Sequence, residues 1–197
     1  MHTMQPLLQA NRLAFERKQR ALFTDLDVEL GGGEILLITG ANGVGKTTLL
    51  KLLAGILKPT AGSVWAAPLF LVGHQTGLKG ELTAAENLRF YAALFGGAGA
   101  AAALESAQAR HLSHQPVHSL SAGQQRRVAL ARLFLDFRPL WLLDEPYANL
   151  DQPGCEMVDD AVERQIRAGG AVIMASHGRR PRLERAVREL SMDHVAG

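Results

Sequence analysis

Apolar residues fall along the chain in two patterns that predict different elements. Unbroken apolar runs at residues 35–38, 140–143 and 171–175 are typical of strands that are buried on both faces. After Lys46, and again over residues 157–167, apolar residues recur at the spacing of an amphipathic helix. Buried strands that alternate with helices indicate a parallel sheet covered on both faces, so we predict an α/β fold. Shorter strands are predicted at residues 24–30, 63–65 and 69–72.

Two capping boxes predict where helices begin in the middle of the chain. Thr83 precedes Glu86 by three residues, and Ser121 precedes Gln124 by the same distance. In each pair, a hydroxyl and a longer polar side chain can satisfy amides at the start of a helix. Because residues 75–120 show no strand pattern, we expect a helical lobe, at about residues 76–125, that projects from a single domain of 197 residues.

Composition narrows the possible functions only slightly. A chain of 197 residues with 47% hydrophobic and 20% charged residues is near the average for globular proteins and can bury a sizeable core. The formal net charge of +2 is too small to indicate nucleic-acid binding, and we expect no nucleic-acid partner. The single cysteine, Cys155, excludes an internal disulfide. No apolar run reaches the roughly 20 residues that span a bilayer. If the protein acts at a membrane, we therefore expect another subunit to hold it there.

The strongest chemical signal is a glycine-rich loop between a predicted strand and a predicted helix. Residues 40–47 read Gly-Ala-Asn-Gly-Val-Gly-Lys-Thr and fit the phosphate-binding pattern G-x-x-x-x-G-K-[ST]. Glycines let such a loop turn its amides toward phosphate oxygens, and the helix start adds a positive dipole end. We expect Lys46 to reach the β- and γ-phosphates, Thr47 to ligate Mg²⁺ and Thr48 to bind the α-phosphate. The candidate phosphate-binding residues are Gly40, Asn42, Gly43, Gly45, Lys46, Thr47 and Thr48.

A pair of carboxylates follows the apolar run at residues 140–143. Asp144 and Glu145 would lie at the C-terminal edge of a parallel sheet, where ligands bind in this class of fold. We expect Asp144 to hold Mg²⁺ through water and Glu145 to polarise the attacking water as a general base. A solvated strand end would account for the pair equally well on its own, but the glycine-rich loop favours the functional interpretation.

Residues 120–124 separate one family from other phosphate-binding proteins. They read Leu-Ser-Ala-Gly-Gln and resemble the LSGGQ signature of the ATP-binding-cassette (ABC) ATPases, with Ala122 in place of the first glycine. An ordinary capped helix would show the same pattern, but its position between the loop and the carboxylates favours the signature. The resemblance implies that Ser121 and Gly123 bind the γ-phosphate held by a second copy, in a homodimer. It also implies a P-loop NTPase fold, which has a mostly parallel sheet, a small antiparallel part and the projecting helical lobe.

Three further motifs resemble those of the same family and appear in the same order. Gln75 is similar to the glutamine that senses Mg²⁺ and the attacking water, and it would join Thr47 and Asp144 as a metal ligand. Residues 148–151 resemble the D-loop, which crosses the dimer interface. His177 is similar to the switch histidine that contacts the γ-phosphate, although a lone histidine is more often a surface or core residue.

The family often stacks adenine on an aromatic residue upstream of the glycine-rich loop. Here the family's spacing falls near Arg17, with Phe15 two residues earlier. Arg17 could stack through its guanidinium plane, whereas Phe15 is also consistent with a core position. The base-stacking residue is therefore left open.

Residues 73–90 closely resemble one branch of the family, the ATP-binding subunits of the haem exporter or cytochrome c biogenesis transporter. The resemblance implies ATP and Mg²⁺ as cofactors. It implies as partners the integral-membrane permease subunits of the cytochrome c biogenesis system, which would handle the haem, so that this chain meets haem only indirectly. It also implies a peripheral protein on the cytoplasmic face of the inner membrane.

Two other functions stay open on the sequence alone. One is a soluble ABC ATPase that serves a cytosolic assembly, such as the building of iron–sulfur clusters. The other is a non-catalytic regulatory module that binds nucleotide, which the presence of Glu145 and His177 disfavours.

Two clusters of polar residues carry less specific signals. Several histidines could suggest haem or metal ligands, but no spacing among them fixes a ligand set, so we favour structural or solvated roles. These are His74, His111, His114 and His118. A basic C-terminal stretch favours a solvated face, with contact to anionic lipid headgroups as the alternative. Its arginines are Arg179, Arg180, Arg182, Arg185 and Arg188.

Overall fold

The computed structural model describes residues 5–17, 20–95, 99–183 and 186–194 and divides the chain into two compact units. The first unit is drawn from the ranges Met1–Leu71, Arg138–Glu145 and Val162–Gly197. The second unit is drawn from Val72–Phe137 and Pro146–Ala161, so it extends beyond the predicted lobe at both ends. The arrangement as one domain with an inserted lobe stays a prediction.

Eight strands and five α-helices occupy the described residues, joined by short turns of 3₁₀-helix. In chain order they are β1 (Leu8–Arg17), β2 (Arg20–Leu30), β3 (Ile35–Thr39), α1 (Lys46–Leu53), β4 (Ala61–Ala66), β5 (Leu69–Val72), α2 (Ala84–Phe95), α3 (Ala100–Ser106), α4 (Ala122–Leu130), β6 (Leu140–Asp144), α5 (Gln152–Arg167), β7 (Ala171–Ala175) and β8 (Arg188–Ser191). None of the helices that the structure describes is long and apolar enough to cross a membrane.

The larger sheet has the strand order β5-β6-β7-β3-β8. The pairs β6–β7, β7–β3 and β3–β8 are parallel, which confirms the predicted α/β fold with a mostly parallel sheet. Every residue of β6 and β7 is buried, as their unbroken apolar sequences require. Because parallel neighbours end at the same edge, the residues that follow β3, β6 and β7 emerge close together.

The smaller sheet has the order β2-β1-β4, and both of its strand pairs are antiparallel. This sheet confirms the small antiparallel part of the predicted fold. β1 was not predicted, and its pairing with β2 and β4 is interrupted by register shifts. At Gly62 in β4, an added Cβ would lie 2.3 Å from the Arg12 carbonyl oxygen, so only glycine fits there.

In the second unit, α2, α3 and α4 pack around an apolar cluster that includes Leu88, Leu104 and Val128. Both predicted capping boxes are present. The Thr83 amide donates to Glu86 Oε2 at 2.8 Å, and the Glu86 amide donates back to Thr83 Oγ1 at 3.2 Å. The described part of residues 75–120 contains helices and one isolated bridge, in agreement with the predicted helical segment.

The C-terminal region contains a strand that the sequence did not predict. Residues Arg188–Ser191 form β8, which pairs in parallel with β3 at the edge of the larger sheet. Arg188 donates to the Glu29 carbonyl oxygen at 2.9 Å, and Arg180 pairs with Glu189 at 2.5 Å. The Arg180 and Arg188 side chains are nevertheless 69% and 56% exposed, in agreement with the predicted solvated face, while Arg185 lies outside the described residues.

Candidate nucleotide-binding site

The glycine-rich loop connects β3 to α1, and its backbone conformation depends on its glycines. Gly40, Gly43 and Gly45 have φ angles of 133°, 81° and 117°, which are unfavourable for residues with a Cβ. Gly45 is the N-cap of α1, which begins at Lys46 as predicted. Leu49 and Leu53 are buried in the core of the first unit and so anchor the helix behind the loop.

Lys46 folds back over the loop that precedes it. Its side chain is largely buried, and Nζ donates to the carbonyl oxygens of Gly40 at 2.7 Å and of Ala41 at 3.0 Å. The ammonium group is thus held at the centre of the loop. A positive charge in this position suits the β- and γ-phosphates of a nucleoside triphosphate.

Thr47 and Asp144 come together although they are far apart in the sequence. Asp144 is the last residue of β6 and is 2% exposed, and Thr47 Oγ1 donates to its Oδ2 at 2.8 Å. A hydroxyl and a carboxylate side by side form an oxygen donor set that suits Mg²⁺. Across the described ranges, no group of three or more His, Cys, Asp or Glu side chains could hold a metal alone. Phosphate oxygens would have to complete the coordination, as is common for this ion.

Glu145 follows Asp144 in an unusual backbone conformation. Its φ angle of 49° lies in the left-handed region, and its amide donates to the Ala175 carbonyl oxygen at 2.8 Å. Such a conformation costs of order 1–3 kcal/mol and is concentrated at functional sites. The chemical role of Glu145 stays a prediction.

His177 lies just beyond the end of β7. The preceding Ser176 is buried; its amide donates to the Ile38 carbonyl oxygen at 3.2 Å, and its hydroxyl donates to the Arg179 carbonyl oxygen at 2.8 Å. His177 itself is exposed. The glycine-rich loop, the two carboxylates and His177 thus all leave the same edge of the first unit, from the adjacent strands β3, β6 and β7.

The other predicted site residues lie in the second unit. Gln75 is exposed and follows β5. Ser121 is the N-cap of α4: its Oγ accepts from the Gln124 amide at 3.3 Å, and the Ser121 amide donates to Gln124 Oε1 at 2.9 Å. A cavity of about 460 Å³ opens beside this helix start. It is lined by Ser121, Ala122, Gly123, Gln124, Arg127, Asn149, Leu150 and Asp151.

The predicted signature and the predicted D-loop lie side by side in the second unit and line the same cavity. A Cβ added to Gly123 would lie 2.4 Å from the Asn149 carbonyl oxygen, so the two backbones touch. Arg127, in the helix that begins at the signature, donates to Asp151 of the D-loop at 2.5 Å. It also donates to Gln108 Oε1 at 2.8 Å. The hydrogen bond from Arg127, followed by one from the Gly154 amide, holds the pKa of Asp151 below its ordinary value.

The sequence did not reveal that the C-terminal segment supports the glycine-rich loop. The Ala41 amide donates to Asp193 Oδ1 at 3.0 Å, and Thr39 Oγ1 donates to Glu189 Oε1 at 2.8 Å. Met192 is fully buried next to Gly40. The sequence held only a weak signal for this segment: the apolar residues Leu190 and Met192 alternate with polar neighbours.

Three residues with less specific sequence signals, His118, Phe15 and Arg17, can be located in the structure. His118 Nδ1 lies 3.1 Å from the Gly80 carbonyl oxygen, which is a local hydrogen bond. Phe15 packs against the core of the first unit, whereas Arg17 is exposed at the end of β1.

Comparisons with known proteins agree with this geometry. Residues 23–148 match the ABC transporter family. The sequence is 44% identical to the cytochrome c biogenesis ATP-binding export protein CcmA of Pseudomonas putida, over 96% of this chain and 98% of the relative. It is 41% identical to the protein of the same name from Xanthomonas oryzae pv. oryzae, over 90% of each. These relatives confirm the resemblance seen in the sequence.

A solved structure shares the fold. It is the dimeric post-hydrolysis state of the ATP-binding cassette MJ0796 bound to ADP and Pi, which matches with a TM-score of 0.79 at 24% identity, over 86% of this chain and 88% of that chain. The predicted P-loop NTPase fold is therefore confirmed. The chain belongs to the ABC transporter family, and it is an ATP-binding, ATP-hydrolysing enzyme.

Proposed function

We propose that this chain is the ATP-hydrolysing subunit that energises a membrane permease in c-type cytochrome biogenesis. The observation that carries the catalytic part is the hydrogen bond between Thr47 and Asp144, which joins the phosphate-binding loop to the carboxylate strand. The biological part rests on the names of the curated relatives, which are cytochrome c biogenesis ATP-binding export proteins.

We assign ATP binding to the first unit. Amides of the loop and of the first turn of α1 hold the phosphates, and Lys46 exchanges its bonds to loop carbonyls for bonds to the β- and γ-phosphates. Bound Mg²⁺ would neutralise charge on the phosphate oxygens. Thr47 and Asp144 are the residues that would hold it, with the predicted help of Gln75.

Hydrolysis requires a base that acts on water in line with the bond that breaks. Glu145 accepts a proton from the attacking water as the new bond to the γ-phosphorus forms and the bond to the β-phosphate oxygen breaks. We assign to His177 the contact with the γ-phosphate, because it leaves the same sheet edge as Glu145. Its imidazole can donate a hydrogen bond to the charge that builds up on those oxygens.

The active form that we propose is a homodimer with two composite sites. The start of α4 presents Ser121 and Gly123 beside an open cavity, and a helix start favours anions. These residues would bind the γ-phosphate held by the other copy, so that ATP joins the two copies and hydrolysis releases them. The MJ0796 cassette has been solved as a dimer, which is consistent with this proposal.

The partners that we propose are the integral-membrane subunits of the cytochrome c biogenesis system. The chain would lie at the cytoplasmic face of the inner membrane, held there by those subunits, and they rather than this chain would handle haem. The alternative, a soluble ATPase for cytosolic assembly of iron–sulfur clusters, is disfavoured because the curated relatives are named as export proteins of another process.

Cell fractionation tests this proposal. A tagged chain should sediment with membranes when the integral-membrane subunits of the system are co-expressed, and it should stay in the supernatant when they are omitted. Salt washing and alkaline extraction should release it, because a peripheral protein is held by contacts with other subunits. Recovery in the supernatant under both conditions would contradict the proposed role.

A further inference from the structure

Two buried arginines hold the backbone on either side of Gln75. Arg126, in α4, is 3% exposed and donates from Nη1 to the Gly73 carbonyl oxygen at 2.7 Å. Arg132, in the 3₁₀ turn after α4, is 8% exposed and donates from Nη2 to the Thr76 carbonyl oxygen at 2.8 Å. Both arginines belong to the segment that begins at the signature, so this segment holds the loop at two points that bracket Gln75.

Each arginine is fixed by further contacts. Arg132 Nε donates to the Ala129 carbonyl oxygen at 2.9 Å, and its guanidinium lies 4.6 Å from the centre of the Tyr91 ring. The Tyr91 hydroxyl in turn donates to the Gly77 carbonyl oxygen at 2.6 Å. Burial lowers the pKa of Arg132, but a guanidinium stays charged at neutral pH.

Arg126 reaches a second functional segment. Its Nε donates to the carbonyl oxygen of Pro146 at 3.4 Å, and Pro146 directly follows the proposed base Glu145. One guanidinium therefore bonds both to the loop that carries Gln75 and to the residue after the carboxylate pair. A lysine has a single ammonium group and cannot reproduce this planar, two-sided arrangement.

The same loop is held again a few residues later. The Lys79 amide donates to Asn87 Oδ1 at 2.8 Å, and Asn87 Nδ2 donates to the Lys79 carbonyl oxygen at 3.0 Å. Asn87 is buried in α2, whereas Gln75 itself is exposed. The loop thus combines a backbone fixed at several points with a side chain that faces solvent.

We propose that Arg126 and Arg132 are positioning residues, which keep Gln75 at a constant place relative to the signature. Gln75 and Ser121 are then carried by one body, so a shift of the signature on contact with the second copy moves Gln75 by the same amount. The catalytic consequence rests on the proposed function, since it requires that Gln75 act during ATP hydrolysis. The structural part, a loop held by two guanidinium groups, does not.

Amide hydrogen exchange tests the structural part. In Arg126→Lys and Arg132→Lys, the hydrogen-bonded amides of Leu78 and Lys79 should exchange about tenfold faster, since a lost charged hydrogen bond corresponds to at least that factor. The matched control is Arg110→Lys, because Arg110 is exposed and pairs with Glu105 on the surface of the same unit. That control should leave exchange in the loop unchanged. Unchanged exchange in both test variants would overturn the proposal.

Steady-state kinetics test the catalytic part. The two lysine variants should lower kcat for ATP about tenfold, and they should leave KM within about twofold, because the phosphate-binding loop is untouched. In a Gln75→Ala background, Arg132→Lys should lower kcat by less than about twofold, since Arg132 acts through Gln75, whereas Arg126 also bonds to Pro146. A loss that multiplies in this double variant would show that Arg132 acts independently of Gln75, and would overturn the positioning role.

A second variant covers the case in which loss of a buried arginine unfolds the chain. Tyr91→Phe keeps the ring under Arg132 and removes the hydroxyl, which bonds to Gly77 and interacts with Arg132, and it should speed exchange of the loop more mildly. If it leaves the loop's exchange unaltered, the proposal fails. A parent chain that does not hydrolyse ATP would contradict the proposed function instead, and exchange alone would then decide the inference.

Discussion

The two units present their functional residues by different physical means. In the first unit, the residues lie at the ends of buried parallel strands, and the apolar core behind β3, β6 and β7 fixes them. In the second unit, the residues lie on loops and at a helix start. Arg126 and Arg132 hold the loop backbone through hydrogen bonds, and Arg127 bonds to the Asp151 carboxylate. Close packing of many side chains fixes the strand ends, whereas the loops of the second unit depend on a few hydrogen bonds that a single substitution can remove.

This difference suggests a division of labour. A site built on strand ends is held by the packed core behind it, which suits tight binding of phosphates. A surface built from hydrogen-bonded loops suits the proposed contacts with the second copy, which must form and break in each cycle of hydrolysis. Variants of the first unit should therefore affect ATP binding or the chemical step directly, while variants of the second unit should affect turnover and leave binding by a single copy intact.

The largest effect is expected for Glu145→Gln. Removal of the proposed base should lower turnover by about a thousandfold, since general bases contribute factors of this order, while ATP binding persists. Dimers should accumulate, because the ATP that joins the copies is no longer consumed. Turnover measured by phosphate release checks this, with Glu105→Gln as a control at an exposed carboxylate in the second unit. Equal turnover in parent and variant would exclude Glu145 as the base.

The next effect concerns Lys46→Ala. Loss of its charged hydrogen bonds to phosphate should weaken ATP binding by about a hundredfold. Equilibrium dialysis with ATP measures this, and Lys51→Ala is a suitable control because Lys51 is an exposed residue of the same helix. Unaltered affinity in Lys46→Ala would mean that the loop does not hold the phosphates.

A smaller effect is expected for Gly123→Ala in the second unit. The added Cβ would collide with the Asn149 carbonyl oxygen and displace the D-loop, so turnover should fall about tenfold or more. ATP binding by a single copy should stay unchanged. The neighbouring change Ala122→Gly restores the common signature sequence and should keep turnover near that of the parent. If Gly123→Ala weakened ATP binding as strongly as Lys46→Ala does, the division of labour would be wrong.

The smallest effect is expected for Asp151→Asn, and it depends on pH. Bonds from Arg127 and Gly154 hold the pKa of Asp151 below its ordinary value of 3.8 in the folded chain. A lowered folded pKa means that this stabilisation is fully present above the ordinary pKa and is lost as the pH falls through the lowered one. The parent should thus have a slightly higher Tm than the variant at pH 7, and the two should converge in strong acid. A difference in Tm that did not shrink with falling pH would exclude the charged pair as its cause.

The sequence predicted best those features that depend on adjacent residues. The glycine-rich loop, the carboxylates after β6 and both capping boxes are each encoded within a few positions, so their local structure could be predicted. β8 was missed because its four residues include two charged ones, and only its pairing with β3 makes it a strand.

The bonds that fix the loops of the second unit could not be predicted for a similar reason. Arg132 and Thr76 are separated by 56 positions along the chain, and Arg126 and Gly73 by 53. An arginine has the same appearance in a sequence whether it is solvated or bonded to a distant carbonyl. Only the folded backbone shows which of the many arginines in this chain carry out this function.

A mixing experiment tests the composite site most directly. One preparation carries Lys46→Ala and the other carries Ser121→Arg, so that each homodimer alone lacks one half of both sites. A mixed dimer would have one complete site, built from the intact loop of the second chain and the intact signature of the first. We predict that the mixture hydrolyses ATP although neither preparation does so alone. Lack of any recovery on mixing, with both chains folded, would contradict the account.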